Sequence, residues 1–253
     1  QRGDDLSLSA WYLDSQRGVP MLKVNYREES QAKNQQDEKT LRASAGWERL
    51  RDNYKLYARG GYTYTDLRYL YLGDRGDGSL MEMIHSHSYA HTAMLKAGGD
   101  YYLGDKWLFT SNIGLHQHFV KSIDRAIVSQ QGEKAIVGYD KARIELSGFA
   151  SVRYRPVERL GLAVNLREEL YGDNWSPPIP AFFAEYMLSK RGNIIAKASL
   201  TRNYRFPTLN DQYFMPGGNP DLKPEKGFTY DMGIEFGIKD KRLDLKGEAT
   251  FYD

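Results

Sequence analysis

A period of two, with apolar residues at every second position, is the feature that most limits what this chain can fold into. Apolar side chains occupy alternate positions from Phe228 to Ile238, and charged, hydroxyl or glycine residues lie between them. The same period recurs from Leu41 to Trp47, from Tyr139 to Arg155 and from Leu160 to Glu169. Successive side chains of a strand point to opposite faces, so this pattern predicts long antiparallel strands in an all-β fold.

The connections between these strands alternate between long and short. Long connections begin near Ser15, Gly73, Val120, Gly172 and Arg205, and short turns lie near Arg51, Gly104, Pro156, Lys190 and Asp240. About eleven strands result, and in an up-and-down sheet all the long connections lie at one end. Short periplasmic turns and long extracellular loops are typical of outer-membrane barrels, whereas a soluble β-sandwich does not predict strands of this length.

The two sets of side chains then have different environments. In a transmembrane barrel the apolar set faces lipid, the charged set faces the lumen, and aromatic residues near the strand ends form interfacial girdles. We expect Trp47, Trp107 and Tyr186 in such a girdle. A two-residue turn at Asp240 and Lys241 would further pair Phe236 with Leu245 on one face and Glu235 with Lys246 on the other.

Composition excludes several function classes. The 35 Lys and Arg residues nearly balance the 33 Asp and Glu residues, so no nucleic-acid partner is expected. The sequence has no cysteine, which excludes a thiolate mechanism and a cysteine metal site. No nucleophile elbow, zinc-binding helix or phosphate-binding loop is present, so the sequence does not predict an enzyme.

Two motifs follow each other in the segment from Asn203 to Gly237. Arg-Phe-Pro-Thr at Arg205–Thr208 comes first, and Gly-Asn-Pro-Asp-Leu-Lys-Pro-Glu at Gly218–Glu225 comes second. Their prolines cannot donate ladder hydrogen bonds, so they keep this segment out of the sheet. We interpret the motif residues as structural: they are Arg205, Pro207, Thr208, Gly218, Asn219, Pro220, Leu222, Pro224 and Glu225.

This ordered pair resembles the large loop and following strand late in the barrel of TonB-dependent outer-membrane receptors. Ser15–Pro20 also resembles an element of that family, whereas Asp231 stands where the family most often has Glu. The resemblance implies a barrel of about 22 strands, plugged by an N-terminal domain and located in the bacterial outer membrane. Residues 1–253 would form part of that barrel, with the plug and the C-terminal strands outside this chain.

The function implied by the resemblance is TonB-energised uptake of a scarce, bulky nutrient by the intact receptor. Metal chelates such as a siderophore, haem or cobalamin, and oligosaccharides, are the implied ligands, and no resident cofactor is expected. Outer-membrane lipid, the TonB complex through the plug, and a surface lipoprotein are the implied partners. The alternative is a surface binding or adhesion barrel without transport. The Arg-Gly-Asp sequence at Arg75–Asp77 is compatible with it, but Gly and Asp are also common turn residues.

Two sets of side chains are candidate ligand contacts. The five histidines fall in the predicted loop 73–88 and on the neighbouring strands, and imidazole and thioether groups suit copper, haem iron or a metal chelate. This first set contains Met81, Met83, His85, His87, His116 and His118. A second set, Tyr213, Phe214 and Asn219, could contact a sugar or a siderophore. Ordinary packing of surface residues explains both sets as well.

Overall fold

The computed structural model describes residues 3–20, 33–125, 137–190, 193–214, 217–240 and 243–252. These ranges contain twelve strands and one short helix. In chain order the elements are β1 Asp4–Gly18, β2 Lys33–Leu50, β3 Tyr54–Asp74, β4 Leu80–Leu103, β5 Trp107–Asp124, β6 Val137–Val157, β7 Leu160–Tyr171, β8 Asn174–Trp175, β9 Ile179–Ser189, β10 Ile194–Arg205, α1 Leu209–Tyr213, β11 Glu225–Asp240 and β12 Leu243–Tyr252. Among the described residues, no helix is long and apolar enough to cross a membrane.

All the strands belong to one antiparallel sheet. Strands β1 to β7 pair in chain order, β7 then pairs with β9, and β9 to β12 continue the order. The two-residue strand β8 pairs only with β7, so eleven strands form the continuous path. The prediction of an up-and-down sheet of about eleven strands is confirmed. Because β1 and β12 lie at opposite ends of this path, the described sheet is a partial barrel and is not closed.

Three strand pairs extend further than the alternation predicts. The predicted loop 73–88 is reduced to residues 75–79, because β3 runs to Asp74 and β4 begins at Leu80. The predicted loop that starts at Val120 is also wrong in extent, since β5 continues to Asp124 and β6 begins at Val137. Likewise β1 reaches Gly18 and β2 begins at Lys33. These extensions carry polar side chains on both faces, so a period-two pattern does not reveal them.

The register between β11 and β12 differs from the prediction by two residues. Asp240 pairs with Leu243, so Phe236 lies opposite Gly247 instead of Leu245, and Glu235 lies opposite Glu248 instead of Lys246. A shift of two residues leaves every side chain on its predicted face, so alternation cannot distinguish the two registers. The ring of Phe236 occupies the space that a side chain at Gly247 would need, which explains why the pairing favours glycine there.

The two faces of the sheet differ sharply in composition. One face, called the apolar face, carries exposed apolar residues along the whole sheet, from Leu8 at 87% exposure in β1 to Phe251 at 67% in β12. The other, called the polar face, carries hydroxyl, amide and charged side chains. Within the described ranges, proline and glycine apart, the buried hydrophobic residues are only Ile179, Ala181 and Leu209. The sheet therefore has no conventional core, and its apolar face needs an apolar environment.

The three predicted girdle residues lie on the apolar face near the short turns. Trp107 stacks on Tyr154 of β6, with 3.9 Å between ring centroids, and it also stacks on Phe109 at 6.0 Å. Arg49 lies over the ring of Trp47 at 5.4 Å. Tyr186 is 44% exposed near the end of β9. This aromatic row at one end of the strands has the placement expected of an interfacial girdle.

Candidate functional site

Cross-strand hydrogen bonds between side chains order the polar face. Thr110 donates to Asp100 over 2.6 Å and Ser151 donates to Asn165 over 2.6 Å, each between directly opposed residues. Ser199 donates to Asp231 in the same way over 2.8 Å, and this contact gives Asp231 a structural partner. This face forms a concave pocket of about 830 Å³, whose lining extends from Thr110 of β5 to Thr250 of β12. Its charged lining residues are Arg153, Arg155, Glu185, Lys197 and Asp231.

Residues 206–224 connect β10 to β11 and are called the motif loop here. Helix α1 lies in the first part of this loop. Thr208 is the N-cap of α1, and its hydroxyl accepts the N–H of Asp211 over 3.1 Å. The carboxylate of Asp211 in turn accepts the N–H of Thr208 over 2.9 Å, which completes a capping box. This backbone hydrogen bond, together with the Thr208 side chain, holds the pKa of Asp211 below its usual value of 3.8.

The start of the motif loop docks on the polar face of β6, which lies beyond β7 and β9 in the sheet order. Arg143 donates to the carbonyl of Pro207 over 2.9 Å, and Pro207 itself is buried. Phe206 stacks on Tyr171 of β7 with 4.3 Å between ring centroids. These contacts involve Phe206 and Pro207, and they support the interpretation of Arg-Phe-Pro-Thr as a structural motif.

Side chains of α1 add two further contacts to β6. Tyr139 donates to the side-chain carbonyl of Asn210 over 3.0 Å. The ammonium group of Lys141 lies 4.6 Å from the ring centroid of Tyr213, within the range of a cation–π interaction. Tyr213 is therefore half-buried against β6, whereas Phe214, the C-cap residue, is 47% exposed.

The second motif closes the loop on itself. The N–H of Gly218 donates to the carbonyl of Phe214, and the N–H of Asn219 donates to the carbonyl of Asp211 over 2.9 Å. The side-chain carbonyl of Asn219 accepts the N–H of Asp221 over 2.9 Å, which fixes the orientation of this side chain within the loop. Leu222 donates its N–H to the carbonyl of Asn219 over 3.1 Å, and Arg205 approaches Glu225 to 3.7 Å where the loop begins and ends.

The histidines lie on strands and divide between the two faces. His116 and His118 of β5 are on the polar face, whereas His85, His87 and His91 of β4 are on the opposite face, as the register requires. The prediction that His85 and His87 lie in a loop is wrong, because residues 80–88 are paired strand. Met81 and Met83 belong to the same strand and are 39% and 46% exposed.

The three histidines of β4, on the apolar face, have protein partners near the long-loop end. His87 lies 2.7 Å from a carboxylate oxygen of Asp66 and 3.2 Å from the hydroxyl of Tyr89. The Nδ1 atom of His91 lies 2.6 Å from the hydroxyl of Tyr62. His85 approaches Glu82 to 3.6 Å. The structure therefore separates His85 and His87 from His116 and His118.

Glu145 of β6 completes the cluster on the polar face, and sequence reasoning did not identify it. It lies directly opposite His116 in the register, and its Oε2 atom is 3.4 Å from Nε2 of His118. Arg143 binds the other oxygen, Oε1, with Nε at 2.9 Å and Nη2 at 2.6 Å. The same Arg143 holds Pro207, so this cluster is continuous with the docked motif loop.

An antiparallel sheet with an exposed apolar face, a polar concave face and long loops at one end is the wall of a transmembrane barrel. The sequence matches the family model described as "TonB dependent receptor-like, beta-barrel" over residues 2–253. The chain therefore belongs to the TonB-dependent receptor family. These receptors are transporters of the bacterial outer membrane and not enzymes.

Solved structures of this family share the fold at low sequence identity. HasR of Serratia marcescens, solved with its hemophore HasA and heme, has a TM-score of 0.69 and 15% identity; the alignment covers 99% of this chain and 43% of HasR. The copper transporter OprC has a TM-score of 0.65 and 13% identity, and the alignment covers 97% of this chain and 45% of OprC. The alcaligin receptor FauA of Bordetella pertussis has a TM-score of 0.58 and 16% identity, and the alignment covers 98% of this chain and 40% of FauA. The chain thus spans less than half of each protein. A comparison with curated proteins gave no match.

Proposed function

We propose that the intact receptor takes up a scarce, bulky nutrient across the outer membrane with energy supplied through TonB. The family match over residues 2–253 carries this proposal. TonB would act through a plug domain in the barrel lumen, which the polar face would line. Outer-membrane lipid would cover the apolar face, and a surface lipoprotein could cover the long-loop end.

The ligand would meet the polar face on the side of the long loops. The docked motif loop and the His116, His118 and Glu145 cluster lie together there, joined through Arg143. Tyr213, Phe214 and Asn219 belong to the same loop and offer aromatic and amide groups to a ligand. His85 and His87 lie on the opposite face, so we do not place them in this contact surface.

The fold alone does not fix the ligand. The structural neighbours include a copper transporter, a hemophore receptor, a siderophore receptor and a peptide transporter. Function on a shared fold depends on the site and not on the scaffold. Siderophores, haem, cobalamin, metal ions and oligosaccharides are therefore the compounds to test.

Binding and uptake test the proposal in sequence. The full-length receptor in detergent would be screened against these compounds by thermal shift and calorimetry, and each compound that binds would be used in a cellular uptake assay. We expect at least one compound to accumulate in cells with an intact TonB system and not in cells that lack TonB. Equal accumulation in both strains would refute energised uptake.

The structure gives no support to adhesion through Arg75–Asp77. The carboxylate of Asp77 accepts the N–H and the hydroxyl of Ser79 over 2.9 and 2.6 Å. Gly76 and Gly78 have φ values of 88° and 82°, in the region that favours glycine. The segment is therefore a hydrogen-bonded turn between β3 and β4, in which Ser79 binds one carboxylate oxygen of Asp77.

A further inference from the structure

Two histidines and a glutamate converge on the polar face of β5 and β6. Their ligand atoms, one from each of His116, His118 and Glu145, all lie within 4.8 Å of one another. His116 and His118 are two residues apart on β5, so they share a face, and Glu145 is the cross-strand partner of His116. The backbone pairing of β5 with β6 thus fixes all three Cα positions.

The separations are close to those of a metal-bound set. Zinc binds imidazole nitrogen and carboxylate oxygen at about 2.0–2.2 Å, so two such atoms on one tetrahedral ion lie about 3.4 Å apart. His118 Nε2 and Glu145 Oε2 are 3.4 Å apart. His116 is exposed, so its ring can rotate to bring a nitrogen into the same sphere.

Neighbouring residues orient both less exposed ligands. The Nδ1 atom of His118 lies 3.1 Å from the hydroxyl of Thr92, its cross-strand partner on β4. If Nδ1 carries the proton and donates it to Thr92, the lone pair of Nε2 points toward Glu145. Arg143 binds only Oε1 of Glu145, which leaves Oε2 available. Hydrogen-bonded imidazole and carboxylate groups of this kind fix the ligands of metal sites.

We propose that His116, His118 and Glu145 bind a divalent first-row transition-metal ion on the lumen side of the barrel wall. Two imidazoles and one carboxylate suit Zn²⁺, Cu²⁺ or Fe²⁺. Three protein ligands leave coordination positions open for water or for atoms of a chelating carrier. Binding of the ion to the receptor does not depend on the proposed function. Its role in transport rests on that function, and the ligand class would then be a metal ion or a weak metal complex.

Metal titration of the full-length receptor tests the site. The receptor, purified with a tag that lacks histidine and stripped with a chelator, would be titrated with Zn²⁺ and Cu²⁺ by calorimetry. His116→Gln removes an exposed ligand and preserves the strand, and Glu145→Gln is a second variant. His87→Gln is the matched control, because it removes a histidine on the opposite face. Thermal melting would verify that every variant is folded.

We expect the wild-type receptor to bind one equivalent of metal ion. His116→Gln should bind it at least about 100-fold more weakly. Thr92→Val should weaken it by about 10- to 100-fold, because the orienting partner of His118 is lost. The control should bind like the wild type. Equal affinity in the wild type and His116→Gln, or no binding of either ion by the wild type, would overturn the site.

This experiment separates the metal site from the transport proposal. Binding to the purified receptor does not require TonB. Metal binding that is lost in His116→Gln while uptake does not depend on TonB would leave the site intact and refute energised uptake. TonB-dependent uptake of another compound by a receptor that binds no metal would refute the site and support the proposed function.

Discussion

Replacing Gly218 with alanine should loosen the motif loop. An added Cβ atom would lie 2.6 Å from both the backbone nitrogen and the backbone oxygen of Phe214, and 2.8 Å from the nitrogen of Tyr213. These atoms belong to the C-terminal end of α1, so rotation of a side chain cannot relieve the overlap. The backbone itself must move, although α1 is held to β6 by Tyr139 and Lys141.

The expected cost is that of inserting one carbon into a packed site, about 1–3 kcal/mol. Since about 1.4 kcal/mol corresponds to a tenfold change in an equilibrium, the loop should open about 5- to 150-fold more often. The neighbouring Gly217 provides a matched control. In the described part of the chain, nothing lies within 4 Å of a Cβ atom built there, so Gly217→Ala should leave the loop unchanged.

Hydrogen exchange of the full-length receptor in detergent measures this opening. The N–H groups of Gln212, Phe214 and Asn219 report on it, because each donates to a carbonyl within the docked loop. Their protection should fall in Gly218→Ala and not in Gly217→Ala. Equal protection in both variants would show that the close approach of Gly218 to α1 does not hold the loop in place.

Two other predictions address the capping box and the two faces. The hydrogen bonds from Thr208 stabilise ionised Asp211, so this stabilisation is present above pH 3.8 and disappears as pH falls through the lower pKa of the folded state. Cleavage by pepsin near α1, divided by its cleavage of the unfolded receptor at the same pH, should therefore rise as the pH drops below 3.8, and Asp211→Asn should abolish this rise. On the apolar face, Leu115→Arg should lower the free energy of unfolding by about 2–4 kcal/mol, measured with denaturant for the receptor in a lipid bilayer. Asn112→Arg, on the polar face of the same strand, should lower it far less. Equal costs would contradict the assignment of the faces.

The sequence predicts the fold well wherever lipid dictates the pattern. On β5 the apolar face carries Trp107, Phe109, Ile113, Leu115 and Phe119 at odd-numbered positions, so alternation identifies the strand. Beyond that region, at the long-loop end, polar side chains lie on both faces of β4. There β4 carries His85, Ser86, His87 and Ser88 in succession, and this stretch is predicted as a loop although it pairs with β3 and β5.

The candidate site depends on a pairing that the sequence does not specify. A short turn fixes the register of two strands, but β5 and β6 are joined by residues 125–136, and a connection of this length allows several registers. The His-x-His spacing at His116 and His118 was visible, since residues two apart share a face. Its carboxylate partner was not, because only the pairing of His116 with Glu145 selects one acidic residue among several in β6 and β7. A site built across a long connection therefore needs the structure for its last ligand, and a metal titration of Glu145→Gln tests that ligand directly.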